Sequence, residues 1–271
     1  MHMKRLLLLT LFASIMSIGH AQILLINDTF DRTGTLGVAP DSTPTYEIGS
    51  NTWIGNNNGA TGANDVTTDT TGGGEAVMND LGDGSYPPYP NAGASIGVPS
   101  TYLSGGNLIV GDTYTLSFTL TTSEVSNIGG DVSAGFADSS VPTDYALVDD
   151  SAQNSDHVDY TYQADLVPYG TQYDTGVTDS GAGNAATVVM TLLAGVGGSD
   201  TLGVNIDSTP VFSQVLALGN LDEISIGGTV ANGTVQDLSL DVSPEPSTYA
   251  LMLGGLAFLG FLIRRKRALF S

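Results

Sequence analysis

The sequence contains no cysteine, so disulfide bonds and zinc sites with thiolate ligands are excluded. Basic residues are also scarce, with seven Lys and Arg against 28 Asp and Glu in 271 residues. Between residues 22 and 243 the only basic residue is Arg32, and the same stretch holds 27 acidic residues, a formal net charge of −26. Such a body repels phosphate groups, so we exclude nucleic acids and anionic lipid headgroups as its partners.

Residue types used for nucleophilic and acid–base chemistry are also few. Between residues 22 and 243 the sequence has four glutamates and one histidine, His157, which a Ser-His-Asp triad would have to use. One histidine without cysteine does not make a zinc site. We therefore expect that the protein is not an enzyme.

The N-terminus has the pattern of a secretory signal peptide. Lys4 and Arg5 precede an uncharged apolar stretch at residues 6–18, and small residues stand at the −3 and −1 positions of a cleavage between Ala21 and Gln22. The alternative is an uncleaved anchor. However, the apolar stretch is about 13 residues long, whereas a spanning helix needs about 20. We predict a signal peptide at residues 1–21.

The C-terminus contains two prolines, an apolar stretch and a basic cluster, in that order. Residues 249–263 carry no charge, and with Thr248 and the stems of the following arginines they can span a membrane, so we predict a transmembrane helix at 248–263. The basic cluster places the C-terminus in the cytoplasm and the body outside. That cluster is Arg264, Arg265, Lys266 and Arg267.

This tail resembles the PEP-CTERM sorting signal, which consists of a Pro-Glu-Pro sequence, an apolar span and an Arg-rich end. Here the signature residues are Pro244, Glu245 and Pro246, and the resemblance covers residues 244–267. It implies that an exosortase, a membrane protease, cuts near Pro-Glu-Pro, and that the body is then released or attached to the cell surface or its polysaccharide matrix. The alternative is a plain single-pass anchor preceded by two prolines.

The body, residues 22–243, has the pattern of an all-β domain. Tyr114, Leu116, Phe118 and Leu120 alternate with Thr and Ser, which predicts a strand with one buried face. Residues 185–195 are more continuously apolar, as expected of a central strand of a sandwich. Residues 56–74 are poor in large apolar side chains and are predicted to form a long loop. We expect one jelly-roll-like antiparallel β-sandwich of about a dozen strands.

A second resemblance concerns the start of the body. The sequence INDTFDRTGTLGVAP followed by NTWIG is similar to the opening of concanavalin-like, laminin-G-like jelly rolls. The resemblance implies that the last strand, VQDLSLDV, pairs near the first. The glucanases of that group share a Glu-x-Asp-x-x-Glu strand, which is missing here. The residues that carry the resemblance are Asp28, Phe30, Asp31, Arg32, Pro40 and Trp53.

Two ligand hypotheses remain. Calcium binds carboxylate and backbone oxygens, and acidic residues are concentrated in two stretches that we predict to be loops; the alternative, which the composition favours, is that these are solvated acidic loops without a metal. No other cofactor is expected. Aromatic rings can stack on sugars, although the same rings can equally be packed in the fold. The calcium candidates are Asp80, Asp83, Asp149 and Asp150, and the stacking candidates are Trp53, Tyr86 and Tyr89.

Together these features predict an exported protein that is held in the membrane by its C-terminal helix until it is processed. We expect it then to reach the cell surface or extracellular matrix, where it has a structural or adhesive role. The alternative is a carbohydrate-binding module for exopolysaccharide. A secreted glycosidase is a third and more distant possibility.

Overall fold

The computed structural model describes most of the body and the first two residues of the tail. The described residues are 22–31, 33–35, 53–57, 67–71, 74–79, 92–125, 131–139, 145–152, 160–167, 171–179, 185–217, 220–229 and 231–245. The predicted signal peptide, Pro246, the predicted transmembrane helix and the basic cluster lie outside these residues.

Eighteen strands make up the described part of the chain. They are β1 (Ile23–Asp28), β2 (Thr33–Thr35), β3 (Ile54–Asn57), β4 (Thr67–Thr71), β5 (Glu75–Asn79), β6 (Ala92–Gly97), β7 (Leu103–Ser104), β8 (Asn107–Leu108), β9 (Thr113–Val125), β10 (Asp131–Ala137), β11 (Tyr145–Ala152), β12 (Tyr160–Val167), β13 (Thr171–Asp179), β14 (Ala185–Leu193), β15 (Ser199–Ile206), β16 (Thr209–Ala217), β17 (Glu223–Thr229) and β18 (Ala231–Ser243). Two short 3-10 turns, Ser100–Tyr102 and Val196–Gly198, are the only helical segments among the described residues.

The strands form two large sheets. The first sheet has the order β16-β15-β14-β9-β18-β5-β4-β2, with β1 also paired to β18, and the second has the order β13-β12-β11-β10-β17-β6-β3. The described registers are antiparallel. The chain changes sheet on both sides of β3, between β5 and β6, between β6 and β9, between β9 and β10, between β13 and β14, and on both sides of β17. This arrangement confirms the predicted antiparallel β-sandwich.

The core lies between the two sheets and follows the period-two pattern. In β9, Tyr114, Leu116, Phe118 and Leu120 are buried, as predicted. The register places Phe118 opposite Val188 of β14, and Leu116 opposite Met190, so the apolar rows of neighbouring strands share one face. The second sheet contributes similar rows from β10, β17 and β6. Each fully buried large apolar side chain stabilises the fold by roughly 1.5–3 kcal/mol.

Two expectations concerned individual segments. β14 lies inside its sheet between β15 and β9, as expected of a central strand. It alternates between buried and open positions, and Leu193 at its end is 41% exposed. The second expectation was wrong: residues 56–74 are not one long loop, since β3 reaches Asn57 and β4 occupies Thr67–Thr71. Thr-rich β4 is held by main-chain pairing with β2 and β5, which a search for apolar alternation does not detect.

Candidate functional site

The sorting tail begins where the last strand ends. In β18, Leu238, Leu240 and Val242 are buried, as the alternation predicted, and the strand stops at Ser243. Pro244 follows immediately and is half-buried, whereas Glu245 is exposed. Proline has no N–H, so Pro244 cannot add a donor to the ladder. The first two residues of the Pro-Glu-Pro sequence thus follow in the chain directly after the last residue of β18.

The first strand runs beside this last strand. Ile23 of β1 is paired with Val242 of β18, and Asp28 with Leu238, which confirms the expected pairing of the two ends of the domain. Gln22, predicted to be the first residue after signal cleavage, is exposed. The chain therefore enters and leaves the sandwich at neighbouring points. Ala21 and the cleavage itself lie outside the described residues and stay predictions.

The spacing between the body and the predicted membrane span is short. Residues 244–247 separate the end of β18 from the predicted helix at 248–263. Four extended residues reach about 14 Å at most. The residue before a proline is biased toward extended backbone, which keeps Glu245 extended ahead of Pro246.

Trp53 does not have the position that the stacking hypothesis requires. It is 2% exposed, and its Nε1–H donates to Asp28 Oδ2 at 2.7 Å. Its ring lies against Phe30, with ring centroids 6.0 Å apart. The backbone N–H of Phe30 donates to the other carboxylate oxygen of Asp28 at 2.8 Å, in a turn where Phe30 has φ 53°.

An indole ring at this depth has no face open to a sugar, so the stacking role of Trp53 is wrong. The three residues form a structural cluster, which we name the Asp28–Phe30–Trp53 clamp. It fastens the turn after β1 to the start of β3. Tyr86 and Tyr89 lie outside the described residues, and their stacking role stays a prediction.

The structure describes two of the four calcium candidates. Asp149 and Asp150 lie within β11, where they are paired on one side with β10 and on the other with β12, and not in a loop as expected. Asp80 and Asp83 lie outside the described residues. Among the residues that the structure describes, no group of three metal-ligating side chains comes together. Calcium binding in a loop stays a prediction.

Several acidic side chains instead accept hydrogen bonds from the main chain at turns. Asp200 accepts the N–H of Gly195 at 2.8 Å, and Asp207 accepts that of Thr187 at 2.9 Å. Asp222 receives both the N–H and the hydroxyl of Ser139, each at 2.8 Å. Part of the acidic composition is therefore structural. For Asp207, which is followed by Ser208, the pairing of two turn-forming residues was the sequence signal that could have identified this role.

Burial also changes the acidity of some of these groups. It raises the pKa of Asp200, although the Gly195 N–H partly offsets the effect. Burial likewise raises the pKa of Glu223; a hydrogen bond from Ser95 lowers it, and the charges of Asp222 and Asp138 raise it further. The pKa of Asp241 in β18 is raised by burial alone. Because the folded-state pKa values of these carboxyls are raised, they lower the stability of the folded state more at neutral pH than in mild acid.

Within the described ranges, no helix has the length and apolar character needed to cross a membrane. The predicted transmembrane helix and the cluster Arg264, Arg265, Lys266 and Arg267 lie beyond them. Their assignment therefore depends on the sequence.

Comparison with known proteins identifies the tail. The family model described as the PEP-CTERM protein-sorting motif matches residues 244–267, so the chain carries this motif. No curated protein matches the chain.

Solved structures with a similar fold share little sequence with it. The CBM2 module of Lactobacillus casei BL23 phage J-1 evolved Dit is 10% identical, with a TM-score of 0.47, and the match covers 83% of this chain and 97% of that one. Alginate lyase Aly36B is 11% identical, with a TM-score of 0.42 and coverage of 82% and 96%. Trypanosoma rangeli sialidase is 14% identical, with a TM-score of 0.39, and the match covers 69% of this chain and only 29% of the sialidase. These values carry no argument about ligand or activity.

Proposed function

We propose that this exported PEP-CTERM protein is a non-catalytic β-sandwich that is delivered to the cell surface or extracellular matrix, where it has a structural or adhesive role. The observation that carries the proposal is the position of the sorting motif. Residues 244–267 match the motif, and its first residue follows directly after β18, the last strand of the body. The folded domain is thus the cargo, and the tail is its sorting signal.

The partner in sorting is an exosortase, the membrane protease that recognises such tails. The exposed Glu245 between two prolines offers it an extended peptide that is not part of the sheet. Cleavage near this point would separate the sandwich from its membrane segment without breaking any strand. The basic cluster would hold the tail across the membrane until that cut is made.

Replacing Pro244, Glu245 and Pro246 by alanine tests the sorting step. We expect the variant to stay uncut in the inner membrane fraction, whereas the unaltered protein leaves it. Thr101→Ala, an exposed change before β7, is the control and should mature normally. Mass spectrometry of the mature protein would locate both cut sites. If the triple variant matures and leaves the membrane as before, the sorting proposal is wrong.

The alternative function is carbohydrate binding in the exopolysaccharide. Because Trp53 is buried, the Tyr86 and Tyr89 rings are the remaining stacking candidates. Retention on a polysaccharide column that is lost in Tyr86→Ala and Tyr89→Ala, with an unchanged melting temperature, would favour this alternative. Release of reducing sugar would instead point to a glycosidase.

A further inference from the structure

β16 forms an open edge of the first sheet. In the described part of the chain it is hydrogen-bonded to β15 on one side, and it is the outermost strand in the sheet order. Ser213, Gln214 and Val215 are all exposed, and Val215 is 68% exposed. Three consecutive exposed residues on an edge strand show that no element within the described part of the chain covers these side chains. An open strand edge presents main-chain groups that another strand can pair with.

This edge carries no charge. The sequence of β16, TPVFSQVLA, has no acidic or basic residue, in a body with a formal charge of −26. The edge strand of the second sheet, β13, contains Asp174 and Asp179. Charged side chains are a common protection of edge strands against pairing. β16 lacks that protection over its whole length.

The uncharged surface continues across the neighbouring strands. The register aligns Thr113, Leu193, Thr201 and Val215 in one row across β9, β14, β15 and β16. The next rows on this outer face are also small and uncharged. Its described members are Thr113, Thr115, Ser117, Thr119, Thr187, Val189, Thr191, Leu193, Thr201, Gly203, Asn205, Ser213 and Val215.

The hairpin between β15 and β16 fixes which main-chain groups point outward. Asp207 and Ser208 form a two-residue turn with φ values of 49° and 67°, so Ile206 and Thr209 are a hydrogen-bonded pair. The register shifts once, at Val204/Asn205. Beyond this shift, successive residues of β16 point their main-chain groups alternately toward β15 and away from it. The N–H and C=O groups of residues 213, 215 and 217 are the ones directed away from β15.

Pro210 occupies an earlier outward position and has no N–H to offer there. Pairing is therefore confined to the second half of the strand, from residue 213 to residue 217.

We propose that β16 pairs antiparallel with β16 of a second copy of this chain, with the two-fold axis at Val215. Val215 then faces its own counterpart, and Ser213 faces Ala217 of the other copy. Each of the three pairs exchanges two hydrogen bonds, about six in total. The pairing joins the two first sheets into one continuous sheet and brings the two exposed Val215 side chains side by side.

Charge favours a second copy over another partner. A cationic partner would be met by an acidic surface, whereas this edge is neutral. Between two identical anionic bodies, repulsion is smallest where each brings an uncharged face. The acidic remainder keeps the copies apart in every other orientation. Since screening reaches about 8 Å at physiological ionic strength, we expect dimerisation to strengthen with salt.

Single cysteines test the register directly, because the chain has none of its own. In the full chain expressed in its producing cells, mild oxidation should convert Val215→Cys into a covalent dimer on a non-reducing gel. Hydrogen-bonded antiparallel partners have Cα atoms about 5.5 Å apart, within disulfide reach. Ser213→Cys should stay monomeric because its counterpart is Ala217. Val110→Cys, at a position 53% exposed before β9, is the matched control for surface reactivity.

A charge variant tests the affinity. Val215→Lys places like charges opposite each other at the axis while lowering the net negative charge. In the detergent-extracted full chain at physiological ionic strength, sedimentation should show dimerisation weakened by at least about tenfold. Val110→Lys, with the same charge change, should dimerise normally. The proposal is overturned if the folded Val215→Cys protein, checked by its melting temperature, fails to cross-link, if Ser213→Cys or Val110→Cys cross-links equally, or if Val215→Lys dimerises normally.

Discussion

The Asp28–Phe30–Trp53 clamp gives the sharpest prediction about stability. Trp53→Phe removes the indole N–H while keeping an aromatic ring, so Asp28 loses a partner at 2.7 Å in a fully buried place. Hydrogen bonds to charged groups are worth about 1.5–3 kcal/mol. We expect Trp53→Phe to lower the free energy of unfolding by about 2–3 kcal/mol, including the lost ring volume. For a domain of this size the melting temperature should fall by about 4–12 °C.

A double-mutant cycle with Asp28→Asn isolates the bond from the change in packing. If the carboxylate and indole are coupled as the distance indicates, the two changes together should cost about 1.5–3 kcal/mol less than the sum of the single changes. Chemical denaturation followed by Trp and Tyr fluorescence, or by circular dichroism where Trp53 is absent, measures each corner of the cycle. A coupling energy near zero would refute the assignment of Asp28 as the partner of Trp53. Polysaccharide retention per folded molecule should be unchanged, because the ring is not at the surface.

Three further predictions concern acidity, packing and metal binding. Burial raises the folded-state pKa of Glu223 above its ordinary value of 4.5, so the folded chain holds this proton more tightly than the unfolded chain. Lowering the pH from neutral toward that ordinary value should therefore raise the melting temperature, and Glu223→Gln should flatten this rise; an unchanged slope in Glu223→Gln would contradict the assignment. Gly233→Ala in β18 would put the new Cβ 2.6 Å from the carbonyl oxygen of Thr121 in β9. We expect the free energy of unfolding, measured by urea titration, to fall by about 1–3 kcal/mol. An unchanged urea midpoint would mean that β18 and β9 can move apart at that point without cost. If calcium binds at Asp80 and Asp83, millimolar calcium should raise the melting temperature, and the Asp80→Asn and Asp83→Asn variants should abolish that rise. A calorimetric titration in which calcium gives no heat of binding would contradict the site.

The sequence was informative wherever a pattern repeated along one strand. The alternation of Tyr114, Leu116 and Phe118 predicted both the strand and its buried face, because period two follows from the pleat itself. The pairing of β1 with β18 came instead from a family resemblance, since pairing of distant strands has no local signature. The apolar run of β14 indicated a central strand but not whether its outer face is covered, because its outer residues include Val189 and Leu193 and an apolar open face has the same composition as a covered one.

Of the candidate site, only the linear Pro-Glu-Pro sequence could be predicted from the sequence. Pro244, Glu245 and Pro246 are a linear signal that a protease can recognise in an extended chain, so their order alone identifies them. The position of Trp53 depends on Asp28, 25 residues earlier, and composition does not indicate whether an aromatic ring is covered. Asp149 and Asp150 looked like loop residues because acidic side chains are rare in strands, but pairing on both sides by β10 and β12 keeps them in β11.

The location of β18 inside the first sheet determines how the body responds to mechanical force. In the sheet order it lies between β9 and β5, and β1 also pairs with it. If the body is held at its C-terminal end, a pull acts along a strand whose hydrogen bonds on both flanks share the load. These bonds must yield together and not one after another, so the sandwich resists being unravelled from the end by which it is held.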